Sequence, residues 1–298
     1  MNLEICSIAS SSSGNSYVVR SEEAVILVDA GVTAKKIDEG LAKLKISYQD
    51  VDAILITHEH SDHINCLHTL VKRRPFAGRV YASHGTMCGT LSKGKGLTES
   101  AFDNVSAGDV LQIKDIKVNV FSLSHDTPQP TGYTFEKNGK KIAIVTDTGC
   151  VTEEIFGAIS GSDILVLEAN HEKNLLLYGR YPYPLKQRIL SDTGHLSNET
   201  CGLTICRYLT EIKGRSGQTR TDNLREAGIG LGVEDTGEQG RFGRIPEVVL
   251  AHLSKENNTP MQAMMTVSNI LEENGFLVGE DLRLTVAPRD VLGEILRV

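Results

Sequence analysis

The segment Thr57-His58-Glu59-His60-Ser61-Asp62-His63 sets four side chains able to bind a metal, His58, His60, Asp62 and His63, within six positions. They follow directly on Val51-Asp52-Ala53-Ile54-Leu55-Ile56, an apolar run that reads as a buried strand. A tight turn after a strand can aim alternate side chains into one pocket, His58 and His60 to one side and Asp62 and His63 to the other. Imidazole together with carboxylate suits a borderline divalent ion such as zinc, manganese or iron. The alternative is a polar turn with histidines gathered by chance. Four spaced ligands at one strand end make that the poorer account.

The pattern of apolar strand, ligand, then small or polar loop recurs along the chain. Asp147 follows Lys141-Ile142-Ala143-Ile144-Val145-Thr146, His125 closes the strand before Asp126, and His252 closes Val248-Val249-Leu250-Ala251. Convergence of these strand ends on one cluster is the expectation, with Asp147 as a carboxylate able to bridge two ions. Two ions sharing a water bring its pKa from ~16 toward ~7, so that a metal-bridging hydroxide becomes the nucleophile at neutral pH. Asp62 is the residue to orient or deprotonate that water.

A leaving alkoxide needs a proton, and His195 is the candidate donor, in a turn ahead of a helix expected over 198–212. Glu168, after Asp163-Ile164-Leu165-Val166-Leu167, can hydrogen-bond one ring nitrogen, raise its pKa and fix its tautomer. The bland reading of His195 is a loop cap. His171 reads equally as pocket-lining or surface, and His68 and His84 as helix residues without a role. In Tyr181-Pro182-Tyr183-Pro184-Leu185-Lys186-Gln187-Arg188, aromatic faces can stack on bases while Arg180, Lys186 and Arg188 meet phosphates as a substrate rim. A proline-stiffened loop with solvated charges is the equal alternative.

The elements that must position these groups are read from periodicity. Strands are expected at 3–9, 16–20, 24–28, 79–82, 110–113, 116–123, 132–136, 141–146 and 247–251. A helix capped by Thr33 runs to Lys45 with Ile37, Leu41 and Leu44 on one face, and another follows the histidine motif to about residue 74. Strands come in hairpin-like runs as well as alternating with helices. That predicts an α/β (α+β) fold of two mixed sheets packed together with helices outside. Residues 214–244 are rich in glycine and charge and lack periodicity, so a flexible surface insertion in a single domain spanning 1–298 is expected there.

A net charge of −7 disfavours a protein that coats nucleic acid but leaves room for a nuclease whose attraction for phosphate is local. No apolar run has the length of a membrane span, and the first residues lack the pattern of a signal peptide. The six scattered cysteines read as reduced thiols. A cytoplasmic protein without membrane contact is expected.

Further motifs are Ser11-Ser12-Ser13-Gly14-Asn15-Ser16, Ser124-His125-Asp126, Glu168-Ala169-Asn170-His171, Gly194-His195-Leu196-Ser197-Asn198, and Ala251-His252-Leu253-Ser254-Lys255-Glu256-Asn257-Asn258. With the HxHxDH segment, the chain resembles the metallo-β-lactamase fold superfamily over essentially its whole length, and its YycJ/WalJ branch, which lies near the nucleases. The resemblance implies a four-layer αββα sandwich with metals at one edge. It implies His58, His60, His125 and Asp147 on one ion, Asp62, His63, Asp147 and His252 on the other, and Asp29 bracing the metal loop. It also implies the Glu168–His195 pair and a 5′–3′ exonuclease acting on DNA. The insertion departs from the pattern, in which that connection is short. The runner-up is a thioester or lactone hydrolase with the same ions. A redox di-iron protein ranks lower, since such relatives carry Glu where His60 stands, as does a non-catalytic metal-binding regulator. Protein partners and oligomeric state are not legible.

Overall fold

The runs Val25–Val28, Ala53–Leu55, Ile164–Glu168 and Glu247–Ala251 are buried at nearly every position. Strands with no polar face must lie inside sheets covered on both sides. The computed structural model describes residues 3–73, 76, 78–226 and 245–298, and it contains two seven-stranded mixed sheets. The first is built from β1 (Glu4–Ala9), β2 (Ser16–Arg20), β3 (Val25–Val28), β4 (Ala53–Leu55), β5 (Arg79–Ala82) and β6 (Phe102–Asn104). The second holds β7 (Val110–Ile113), β8 (Ile116–Ser122), β9 (Thr131–Lys137), β10 (Lys140–Val145), β11 (Ile164–Glu168), β12 (Glu247–Ala251) and β13 (Arg283–Val286). The last strand, β14 (Leu296–Arg297), returns to pair with β1.

Three apolar layers join four structural layers. One, with Tyr17, Ile26, Leu55, Tyr133, Ile144 and Val166, lies between the sheets. A second packs the first sheet against α1 (Ala34–Lys43), α2 (Ser61–Ile64), α3 (Leu67–Arg73) and α4 (His84–Ser92). The third packs the second sheet against α5 (Glu153–Ile159), α8 (Asn198–Glu226) and α9 (Pro260–Glu273), while α6 (Lys173–Tyr178) and α7 (Tyr183–Leu190) lie in the connection between β11 and α8. This is the expected αββα sandwich.

Topology places the site. Strands β3 to β6 are mutually parallel, as are β10 to β13. The segments after β3, β4, β10, β11 and β12 are therefore C-terminal ends of parallel strands, where open α/β sheets gather ligands. Two antiparallel steps orient β1 like β3 and β8 like β10, so residues 10–15 and His125 follow strands running the same way.

Several elements differ from the sequence reading. The helix after the histidine motif is broken into α2 and α3. Ala30 N donates to His63 O (2.7 Å) and Cys66 N donates to Ala30 O (2.9 Å), so backbone groups that would continue one helix serve the neighbouring loop. Residues 183–190 are helical, with Pro184 tolerated in the first turn, instead of a proline-stiffened loop. The helix expected to end near Lys213 runs to Glu226. No proline interrupts 198–245, and each residue added to a helix already nucleated costs far less than starting a new one. The flexible insertion at 214–244 is thus helical in its first part, and its remainder, 227–244, lies outside the described residues.

The loop after β3 meets the histidine loop at Gly31, where an added Cβ would lie 1.5 Å from the carbonyl oxygen of Asp62. Asn15 N donates to that same carbonyl (2.8 Å). Gly31→Ala must therefore push two loops apart, an overpacking expected to cost more than about 3 kcal/mol. Thermal or denaturant unfolding checks this, and an unchanged midpoint would refute the close contact.

Candidate metal centre

Aside from His68, His84 and His171, every histidine in the chain falls in one cluster with Asp62, Asp147 and Glu168. Three of the carrier positions hold left-handed backbone without being glycine: Asp29 (φ 62°), Asp147 (φ 60°) and His252 (φ 55°). Such a conformation costs roughly 1–3 kcal/mol per residue and collects at functional sites. Here it turns each chain sharply at the end of its strand.

His58, His60 and His125 form one potential ligand group, Asp62, His63 and His252 another, and His58, His63 and Asp147 a third that links them. Asp147 lies between the halves, its Oδ2 3.2 Å from His63 Nε2 and its Oδ1 3.9 Å from His125 Nε2. His125 Nε2 faces His60 Nδ1 at 3.2 Å, as two ligands of one ion would.

Three of the histidines are held from behind. His63 Nδ1 donates to Asp29 Oδ2 (2.8 Å), and Asp29 also accepts from the backbone and hydroxyl of Thr57. These bonds place Asp29 directly behind the histidine loop. His125 Nδ1 donates to Gly194 O (3.1 Å), and His252 Nδ1 to Glu168 Oε1 (2.7 Å). With the rear nitrogen committed, the other ring nitrogen is the one left for an ion.

The polar atoms at the centre test whether a metal fits. His58 Nε2, His252 Nε2 and Asp147 Oδ2 are buried without any hydrogen-bond partner. Buried polar atoms are otherwise almost always satisfied, and these are the donor atoms a borderline divalent ion selects. Electrostatics agree. Burial and the crowd of imidazoles hold His58 well below its ordinary pKa, which suits the neutral form a metal would bind. Burial opposes charge on His252 too, yet Asp147, Asp62 and Glu168 raise it to about 10. Burial likewise works against Asp62, but His63 and His252 hold it well below the usual carboxylate range. The carboxylates thus stay ionised and demand positive charge at the centre.

Glu168 is fully buried. Its Oε1 accepts from both His195 Nδ1 (2.8 Å) and His252 Nδ1, and its Oε2 from the backbone N–H groups of Thr148 (3.0 Å) and Leu196 (3.1 Å). Burial would raise this carboxyl, but the two histidines bring it down to about 2. The pairing with His195 matches the sequence expectation, and the second bond to His252 was not foreseen.

The rim departs from its reading. Lys186 Nζ donates to the carbonyls of Leu177 (2.7 Å) and Gly179 (2.8 Å). Arg188 grips Asp126 with two nitrogens, and Asp126 lies 3.7 Å from His60 Nε2. Both cations are engaged within the protein, and a phosphate would have to displace those bonds. Arg180 is exposed and has no ion-pair partner among the described residues. His171 is buried, not a surface residue, with neither ring nitrogen hydrogen-bonded. Burial lowers it to about 4. His68 and His84 lie on α3 and α4 as expected.

Two contributors were missed. Asn15 Nδ2 lies 3.0 Å from His63 Nε2 and 3.4 Å from Asp62 Oδ2. Thr57 contacts Asp29, His58 and His63 together. A Gly-Asn pair in the first loop and a threonine directly before the histidines were the available signals.

A family model described as the β-lactamase superfamily domain matches residues 25–212. The chain belongs to the metallo-β-lactamase superfamily. Within that superfamily it is 36% identical to "Exodeoxyribonuclease YycJ" of Bacillus anthracis over 94% of this chain and 93% of the relative. It is also 36% identical to "Exodeoxyribonuclease WalJ" of Streptococcus pneumoniae, over 93% and 91%. Among solved metallo-β-lactamase folds, the YhfI protein of Bacillus subtilis superposes with a TM-score of 0.63 at 13% identity, covering 99% of both chains. Among the described residues no helix is long and apolar enough to cross a membrane.

Proposed function

We propose that this chain is a metal-dependent exodeoxyribonuclease with two divalent ions. The observation that carries the proposal is the Glu168–His195 pair set against the buried His/Asp cluster. Both near-full-length relatives named above are exodeoxyribonucleases. We assign His58, His60, His125 and Asp147 to one ion, and Asp62, His63, Asp147 and His252 to the other. Bound there, zinc, manganese or iron would polarise the phosphodiester and acidify water. We assign the protein to the cytoplasm, a setting that suits six unpaired cysteines.

The residues divide the remaining work. Asp62, ionised and partly open to solvent, orients the attacking water and accepts its proton. His195 gives its proton to the departing sugar oxygen. Glu168 holds His195 with its Nδ1 proton committed and its Nε2 turned to donate. Thr57 and Asp29 keep the histidine loop rigid.

Manganese- or zinc-loaded protein should progressively shorten duplex DNA from one labelled end, and the 5′–3′ polarity implied by the family resemblance predicts which. Asp62→Ala should lose at least about 10²-fold in rate, as expected for removal of a positioned base. DNA left intact with zinc, manganese and iron alike would sink the proposal and turn attention to thioesters and lactones.

A further inference from the structure

The chain between Glu168 and His195 carries α6 and α7, and it leaves aromatic and apolar surface in water. Tyr178 is 88% exposed and Tyr183 73%. Where this segment faces the loop that follows His252, a cavity of about 360 Å³ opens, lined among others by Leu175, Tyr178, Arg180, Tyr181, Glu256 and Asn257. That volume lies within the range of small-molecule sites. The segments that line the cavity lead along the chain to residues of the candidate metal centre, Glu168 and His195 on one side and His252 on the other. Asn257 closes the loop begun by His252, and its carbonyl accepts from Glu172 N (2.9 Å), next to the Glu168–His171 motif.

The segment is built to hold these groups in place. Lys186 ties down the Leu177 and Gly179 carbonyls. At Gly179 an added Cβ would lie 2.4 Å from Leu175 O and 3.1 Å from Asn257 Oδ1, so the turn presses closely on the loop. Lys173 is paired with Glu199, and Arg188 with Asp126. Arg180 alone among the cations of this segment has no partner among the described residues.

We infer that this cavity is a subsite for one unpaired nucleotide of the substrate strand, outside the scissile phosphodiester. The base stacks on Tyr178 and Tyr181, and its phosphate lies against Arg180. The inference rests on the nuclease reading above. Stacking on an exposed aromatic is worth about 1–3 kcal/mol per base, and any base supplies it. A chain of net charge −7 has no broad basic surface to hold a strand, so stacking with one local cation is the means available. Glu256 sets the orientation. Its carboxylate repels a phosphate but accepts hydrogen bonds from base amino groups, which turns the base inward and the phosphate toward Arg180.

The test is a kinetic cycle on metal-loaded full-length protein, using oligonucleotides with a single abasic site stepped through the first several positions from the cleaved end. In the wild-type chain one position should raise KM about tenfold. In Tyr178→Ala the intact oligonucleotide should already show that rise, the abasic penalty at that position should vanish, and kcat should change less than twofold. Tyr178→Trp should restore the wild-type pattern, which a merely structural role for Tyr178 would not allow. Arg180→Ala should weaken the dependence of KM on salt. An abasic penalty that is the same in the wild type and Tyr178→Ala at every position overturns the subsite while leaving the nuclease reading intact. A wild-type chain that degrades no DNA overturns both.

Discussion

His195→Ala is expected to slow DNA hydrolysis by about 10²–10⁴-fold while reducing hydrolysis of bis(p-nitrophenyl) phosphate far less. A sugar alkoxide is a poor leaving group and needs a proton as the bond breaks, whereas p-nitrophenolate departs without one. Nδ1 of His195 is committed to Glu168 at 2.8 Å, so Nε2 is the ring atom available to donate. The ring lies 5.1 Å, centre to centre, from His125 and 5.3 Å from His252, against both halves of the cluster. Steady-state rates on the two substrates at saturating metal make the check. An equal loss on both would show that His195 acts on binding or metal position and not on the leaving group.

Glu168→Gln should damage two functions at once. The amide has the shape of the carboxyl, and its oxygen can still accept from Thr148 N and Leu196 N. The carboxylate that accepts from His195 and His252 is lost, and an amide N–H then faces imidazole N–H groups. Removing the group behind a metal-binding histidine typically weakens metal affinity about 10–100-fold. Loss of the acid's support should lower kcat by about 10²-fold even at saturating metal. The double variant Glu168→Gln/His195→Ala should have a kcat no lower than His195→Ala alone, because both changes disable one proton transfer. Metal titration beside kcat separates the effects. Unchanged metal affinity in Glu168→Gln would refute the bracing of His252.

Much of this centre was legible because its components are local in sequence. His58, His60, Asp62 and His63 share one turn, and Asp147, His125 and His252 each follow an apolar strand. A chemically unusual residue after an apolar run is a signal that needs no knowledge of pairing. The internal partners of Lys186 and Arg188 were not legible, because the spacing of those residues says nothing about competitors. The carbonyls at the end of α6 and the Asp126 carboxylate, 62 positions away from Arg188, took those cations. His171 was ambiguous because a histidine after a strand looks the same whether the next layer covers it or not. The length of α8 was missed because glycine and charge mark a helix as weak in isolation, while tertiary packing of its first turns nucleates it.

By itself the sequence determined which side chains have metal-binding chemistry, that they stand at strand ends, and that the strands make two mixed sheets. These properties lie in residue type and short-range periodicity. Only the tertiary structure decided that Asp147 stands between the two histidine groups, that one buried Glu168 serves both His195 and His252, and that Gly31 lets two loops touch at the carbonyl of Asp62. Each depends on hydrogen bonds or contacts between segments tens to more than a hundred residues apart. Donors and acceptors are too common along a chain for such pairings to be read before the sheets bring their C-terminal ends to one edge.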